Sequence, residues 1–317
     1  MNPKNAKLKY RPSNNTDKLN LKGIFLNDKI DLTLKNNKKA QDSFKILTID
    51  LEKNAIFTKI KTYNTNSDKD TFSGDLAFKK GKNRLTAFFD YKDNKLIFKE
   101  SKIRNALLDG EFNGELSFQP YLNFDLNLDL KGVNFNKLHT YLINLDDKSK
   151  KNLFAVSKKI NGQLNFSANK IYSKFNLIKS FESQLKFING SILINRLLLN
   201  LGKIGAADLS GIIENDKKFS NLKFESNVYV DNKKKFISKL GVYGQKNISS
   251  NFYFSGNLDL FNLRILFNEI SGKEDFTQED INYIQKEFNS IFFEKGYESF
   301  FDFPNLKEFI KSVSSTE

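Results

Sequence analysis

Apolar and polar residues alternate along most of this chain. The clearest case runs from Leu122 to Leu130, where Leu122, Phe124, Leu126, Leu128 and Leu130 take every second position and Asn123, Asp125, Asn127 and Asp129 fill the gaps. Successive side chains of a strand point to opposite sides, so this spacing makes a ribbon with one greasy face and one wet face; a helix would spread the same leucines around its circumference. Gln119-Pro120 separates it from an earlier strand carrying Leu116 and Phe118, and Lys131-Gly132 separates it from Val133 and Phe135. The same grammar predicts strands at Leu19–Leu26, Lys29–Leu34, Phe44–Leu51, Ala55–Thr62, Thr71–Phe78, Arg84–Tyr91 and Leu96–Ile103, with turns at Lys80–Asn83 and Lys92–Asn94 and a loop at Tyr63–Asp70. Residues 1–18, polar and carrying Pro3 and Pro12, read as a linker or frayed start; 19–271 read as the β-rich region and 272–317 as a helical segment.

A short phrase recurs within the strands, an apolar residue followed by Asn or Ser, Gly, and an alternating apolar pair. It reads FSGDLAF at 72–78, FNGELSF at 112–118, INGQLNF at 160–166 and FSGNLDL at 254–260, with looser copies INGSILI at 188–194 and LSGII at 209–213. Glycine within a strand relieves crowding or permits a bulge. The spacing between copies is irregular, which excludes a fixed-period solenoid. Two stretches leave the pattern. Leu138, Tyr141, Leu142 and Leu145 have helical spacing within 136–159. In the C-terminal stretch 277–313, Thr277–Asp280 has the form of a capping box, and Ile281, Ile284, Phe288, Ile291 and Phe292 form one helical stripe. Such stripes ordinarily face a core, here the end of a sheet.

Composition narrows the reading. Apolar residues make up 39% of the 317 and Phe occurs 32 times, more apolar area than a disordered chain carries. The formal net charge of +14 raises a nucleic-acid role, but only five of the 51 basic residues are Arg and the Lys are spread evenly, as on solvated strand faces. With no Cys there is neither disulfide nor thiolate metal site. Met1–Tyr10 lacks the apolar centre of a signal peptide, and the most apolar stretch, Phe187–Ile213, is interrupted by Asn189, Asn195, Arg196, Asn200, Lys203 and Asp208.

Candidate chemistry is sparse. His139 is the only histidine and sits next to the Leu138–Leu145 helical stripe, with no second His or Cys for a relay or a metal. Asp125 and Asp129 share the wet face of their strand, where nothing apolar raises a carboxyl pKa. Phosphate-binding glycine loops and a nucleophile elbow are absent from the sequence. These features predict a protein that is not an enzyme and needs no cofactor and no metal. What remains is geometry: many amphipathic antiparallel strands hide their greasy face by closing into a barrel, stacking as a sandwich, or curling into a trough that holds apolar ligand. The helical segments argue against a membrane barrel. The expected fold is mainly β, an elongated, twisted antiparallel sheet curled into an open apolar groove, with short helices near 136–159 and 277–313. The groove candidates are Leu116, Phe118, Leu122, Phe124, Leu126, Leu128, Leu130, Leu164, Phe166, Phe252 and Phe254. Ordinary core packing is the competing assignment for the same residues.

The run GELSFQPYLNFDLNLDLKGVNFNKL, followed by a helical stretch, INGQLNFSANKI at 160–171 and LKFINGSILINRLLLNLGKIGAADLSGII, resembles the C-terminal part of AsmA-like proteins, relatives of the TamB group in Gram-negative bacteria. The resemblance covers about residues 72 to 265 and rests on the order of strands, not on invariant residues. It implies a long sheet curled into an apolar groove, a periplasmic location, and tethering to the inner membrane by an N-terminal anchor. It further implies a role in outer-membrane biogenesis, carrying phospholipid between inner and outer membranes, with a phospholipid or membrane surface and inner- and outer-membrane proteins as partners and no nucleic acid. This sequence lacks the anchor and the chorein-like start, which matches a C-terminal portion of a longer protein or a split or truncated reading frame. The alternative is a structural envelope scaffold or adhesin whose greasy face packs on itself.

Overall fold

A computed structural model describes residues 6–25, 27–38, 43–64, 71–174, 176–215, 220–241, 249–272, 276–293, 299 and 303–314. The described residues are 60% strand and 19% helix, and the strands belong to one 18-stranded sheet whose pairings are almost all antiparallel. The first ten strands are β1 (Lys7–Arg11), β2 (Thr16–Phe25), β3 (Asp28–Asn37), β4 (Phe44–Leu51), β5 (Ile56–Asn64), β6 (Phe72–Lys80), β7 (Asn83–Lys92), β8 (Lys95–Arg104), β9 (Leu108–Ser117) and β10 (Leu122–Asn134). Each pairs with the next, as short turns between strands of matched length require. Residues 65–70 of the expected loop lie outside the described residues. β1 lies inside the stretch read as a linker. Its Leu8 and Tyr10 alternate with Lys7, Lys9 and Arg11, a signal masked by the flanking prolines and polar residues.

After β10 come α1 (Phe135–Ile143) and α2 (Asp147–Lys151), capped by Asn134 and Asp146, in the predicted helical stretch. The sheet resumes with β11 (Ile160–Ala168), β12 (Ile171–Tyr172), β13 (Ser180–Ile188), β14 (Ser191–Asn200), β15 (Gly205–Asn215), β16 (Ser220–Val230), β17 (Asn251–Asp259) and β18 (Arg264–Ser271), with α3 (Lys233–Leu240) between β16 and β17. β11 skips the two-residue β12 and pairs with β13, and β12 instead runs parallel to the end of β10. The chain then forms α4 (Gln278–Phe288), a π turn at Asn289–Phe293 and α5 (Phe303–Ser314). The predicted capping box is present: the Thr277 side chain accepts from the Asp280 N–H, and the Asp280 carboxylate accepts from the Thr277 N–H at 3.0 Å. Among the described residues no helix is long and apolar enough to cross a membrane.

The chain divides into two units, Met1–Asp129 and Leu130–Glu317. In the second, α4 and the π turn lie on the apolar face at β18, so that Ile281 and Ile284 pack with Ile270, and Phe293 with Phe224 and Ile265. Farther along the same sheet, Phe154 and Val156 pack on Ile192, Ile213 and Leu260. The α4 stripe thus covers the end of a sheet. The first unit carries no helix among its described residues.

The glycine of the recurrent phrase has a local reason. At Gly114, with φ +131, a Cβ would lie 2.0 Å from the Asp125 carbonyl oxygen of the next strand. At Gly74 it would strike both the Lys61 carbonyl and the Phe89 ring, each at 2.6 Å, so the missing side chain makes room for the neighbouring aromatic.

Candidate ligand-binding face

The cross-strand registers of the first unit line its apolar residues up on one face. Leu19 lies opposite Leu34, Leu34 opposite Leu47, Leu47 opposite Ile60, Ile60 opposite Leu76, and Leu76 opposite Ala87. A second row runs Leu21, Leu32, Ile49, Thr58, Phe78, Leu85, Ile103. A third joins Phe72, Tyr91, Leu96 and Leu116. Because the side-chain period of a strand is two, each register must hold for these rows to stay on one side. Phe72 stacks on Tyr91 at 4.8 Å between ring centroids and meets Phe89 edge-on, and Phe98 leans on Phe112 at 5.6 Å. Most of these side chains are half-buried, shielded by neighbours on their own face; Leu34 is 38% exposed. No second layer from this unit covers them among the described residues.

The opposite face is wet and paired. Lys22 lies opposite Asp31 with a 2.7 Å ion pair, Lys102 opposite Glu111 at 3.7 Å, Arg104 opposite Asp109 at 3.6 Å, and Lys95 reaches Glu115 at 2.9 Å. Asp90 accepts from Lys99 and from the Ser73 hydroxyl, and these bonds hold its carboxyl below the usual range against the opposing effect of burial. Exposed pairs of this kind add little stability each, but they fix which face meets water. One carboxylate is buried at a strand end. Burial pushes Asp28 up, yet the N–H groups of Lys53 and Asn54, at 2.7 and 2.9 Å, and the Asn54 amide at 2.7 Å outweigh it and bring the pKa down.

The eleven groove candidates fall in both units. The Asn127 amide donates to the Asn113 oxygen at 3.1 Å, which sets that pair on the wet face of β9 and β10 and therefore puts Phe124 and Leu126 on the side of Leu116. Leu122, Phe124, Leu126 and Leu128 are half-buried, alternating with exposed Asn123, Asp125 and Asp129 and with half-buried Asn127. Phe118 is not in line: β9 ends at Ser117, and Phe118 is 53% exposed just before the cis Gln119-Pro120 bond. Leu130 is fully buried in the second unit. There Leu164 lies opposite Leu185, and Phe166 meets Phe181 edge-on at 4.9 Å. Phe252 and Phe254 share a face of β17, but Phe254 packs against Phe267, Ile281 and Ile284, beneath α4. The candidate set omitted the rows of β2–β8, although each of those strands carries the same alternation.

His139 lies half-buried on α1, and no group of three or more His, Cys, Asp or Glu fit to hold a metal occurs among the described residues. The arrangement offers an apolar surface bordered by charge, able to replace water around hydrocarbon. No protein family, curated protein or solved structure matches this chain.

Proposed function

We propose that this chain is an AsmA-like lipid carrier of the cell envelope, which holds phospholipid acyl chains against the apolar face of its sheet and leaves headgroups in water. The observation that carries this reading is the set of aligned apolar rows across β2–β9, interrupted by Thr58, half-buried and without a second layer from its own unit among the described residues. Moving acyl chains out of water contributes about 0.8 kcal/mol per CH₂ group, so a few strands suffice to hold one tail. Such a role needs no nucleophile, metal or cofactor, and the protein acts by binding instead of catalysis. On this reading it works in the periplasm, between inner- and outer-membrane partners, in outer-membrane biogenesis. A structural scaffold without cargo is the rival.

The test is a photoreactive residue placed at Leu47 or at Thr48, adjacent positions on opposite faces of β4, in protein irradiated in cells. Lipid attached at position 47 and not at 48, with phospholipid recovered from the purified protein, supports the carrier. Protein free of acyl chains and unlabelled at 47 leaves the scaffold reading standing.

A further inference from the structure

In the second unit, four segments gather at one end of the sheet. β13 begins where β14 ends, at the Ser180–Asn200 pair, and β15 begins where β16 ends, at Gly205–Val230. Residues 131–143, 169–179, 200–205 and 231–241 therefore meet there, and hydrogen bonds link each segment to the next. The Lys174 N–H donates to the Asn136 side chain at 3.0 Å, the Lys179 N–H to the Asn200 carbonyl at 2.7 Å, and the Asp231 N–H to the Ile204 carbonyl at 2.9 Å. In chain order the segments hold two, three, one and four lysines, and between them a single carboxylate, Asp231. Ten lysines less one aspartate is +9, most of the whole chain's +14. All of these lysines but Lys239 are exposed. Elsewhere in the sheet Lys22, Lys102 and Arg104 each face a carboxylate; within these segments the sequence supplies almost none.

Two further observations bear on what this end meets. Lys233, Lys234 and Lys235 form the first turn of α3, behind the Asn232 cap, with no carboxylate in that turn. The helix dipole places partial positive charge there, so cations at these positions cost stability. Core packing does not require them either, since all three are exposed. Apolar side chains also stand open among the charges: Tyr141 is 54% exposed, Ile143 46% and Tyr172 49%, and the Lys170 ammonium lies 4.9 Å over the Tyr172 ring. A membrane interface accommodates this mixture, with ammonium groups among the headgroup phosphates and aromatic and aliphatic side chains at the acyl boundary. A nucleic acid would use the charges, but Ile143 offers a base no aromatic face to stack on.

We propose that this end of the second unit is a docking surface for bilayers that carry anionic phospholipid. The lysines bind the headgroups, and Tyr141, Ile143 and Tyr172 seat at the interface. A lysine held close to such a surface raises partition roughly fivefold, so the run at 233–235 accounts for roughly 100-fold. The proposal rests on the lipid-carrier reading for its purpose, since it names the end at which cargo would meet a membrane. The two are measured separately, because vesicle binding and acyl chains crosslinked at Leu47 can each occur without the other.

The test sediments the full chain with vesicles of phosphatidylcholine alone and of phosphatidylcholine mixed with an equal part of phosphatidylglycerol. Binding should require phosphatidylglycerol and weaken steeply as salt is raised. The triple variant Lys233→Gln, Lys234→Gln, Lys235→Gln should bind roughly 100-fold more weakly, yet melt no lower than the parent, because the α3 dipole is relieved of three cations. The triple variant Lys79→Gln, Lys80→Gln, Lys82→Gln removes the same charge from exposed positions around the β6–β7 turn and should bind nearly as the parent does. The chain has no Trp, so Tyr141→Trp supplies a single reporter, whose emission should shift to the blue on the anionic vesicles. Equal binding to both kinds of vesicle, equal loss in the two triple variants, or unshifted emission from Tyr141→Trp would each overturn the proposal. So would tighter binding of a single-stranded oligonucleotide than of the anionic vesicles. Phospholipid recovered with the protein in the absence of vesicle binding would refute docking and leave lipid carriage intact.

Discussion

Leu32 lies in the middle of the uncovered rows, between Leu21 and Ile49, and its replacement by Asp measures whether that face is closed. Fully burying a Leu is worth about 1.5–3 kcal/mol, so a half-buried one forfeits about 1 kcal/mol. Loss of strand preference adds up to about 1 kcal/mol. On an uncovered face the new carboxylate keeps its water, so the several kcal/mol that attend a buried unpaired charge are not incurred. The expected cost is therefore about 2 kcal/mol, a fall in melting temperature of roughly 3–7 °C. Bound lipid should respond more strongly, since a tail that loses contact along about three CH₂ groups loses about 2 kcal/mol, near thirtyfold in affinity. Ile284→Asp supplies the contrast. Ile284 is 3% exposed between α4 and β18, and a charge there should exceed about 5 kcal/mol and release the helix. Thr48→Asp, on the wet face opposite Lys59, should change neither stability nor lipid. The assay is a thermal melt paired with mass spectrometry of bound lipid for all three variants. If Leu32→Asp melts as severely as Ile284→Asp, the face is a closed core and the reasoning fails. If Leu32→Asp folds and retains its full lipid complement, the face is not the binding surface.

Further expectations follow from single sites. Gln285 and Asn289 accept from the Phe267 and Ile265 N–H groups of β18, so Gln285→Ala with Asn289→Ala should bare those groups and add concentration-dependent self-association by light scattering; a variant that scatters as the parent does would show that these side chains do not control assembly. Gly114→Val should lower the melting temperature more than Gly81→Val: both sites have positive φ and carry that backbone strain, but a Cβ at 114 also meets the Asp125 carbonyl at 2.0 Å whereas nothing lies within 4 Å of one at 81. Asp28 has a folded pKa below its ordinary 3.8, so its ionised form contributes stability above that value, which is lost as pH falls from 3.8 through the lower folded pKa. Asp28→Asn should accordingly melt below the parent at neutral pH, with the gap closing in acid; a gap independent of pH would mean that the charge is not what holds the 52–55 turn.

The alternation of apolar and polar residues was enough to place the seven strands bounded between Leu19 and Ile103 within three residues of their ends, because a strand with one wet face needs period two whatever lies beyond it. The helical stretches near 136–159 and 277–313 were legible for the same kind of reason, and so was the Thr277–Asp280 box, whose partners are three residues apart; α3, inside the stretch read as β-rich, was not, because its eight residues include four lysines and little apolar periodicity. Local chemistry also pointed to glycine at crowded strand positions, as Gly74 and Gly114 bear out. What sequence left undecided depends on neighbours distant along the chain. Phe124 and Phe254 alternate in the same way, yet Phe254 lies beneath α4 while Phe124 belongs to the unit without helices. Phe88 and Phe89 are adjacent and take opposite faces of β7; the register sets Phe89 across from Gly74, which makes room for its ring, and leaves Phe88 48% exposed. The burial of Asp28 depends on a turn more than twenty residues away. Periodicity specifies that a strand has a greasy face; only the tertiary structure, through register and the placement of the helices, decides what that face meets.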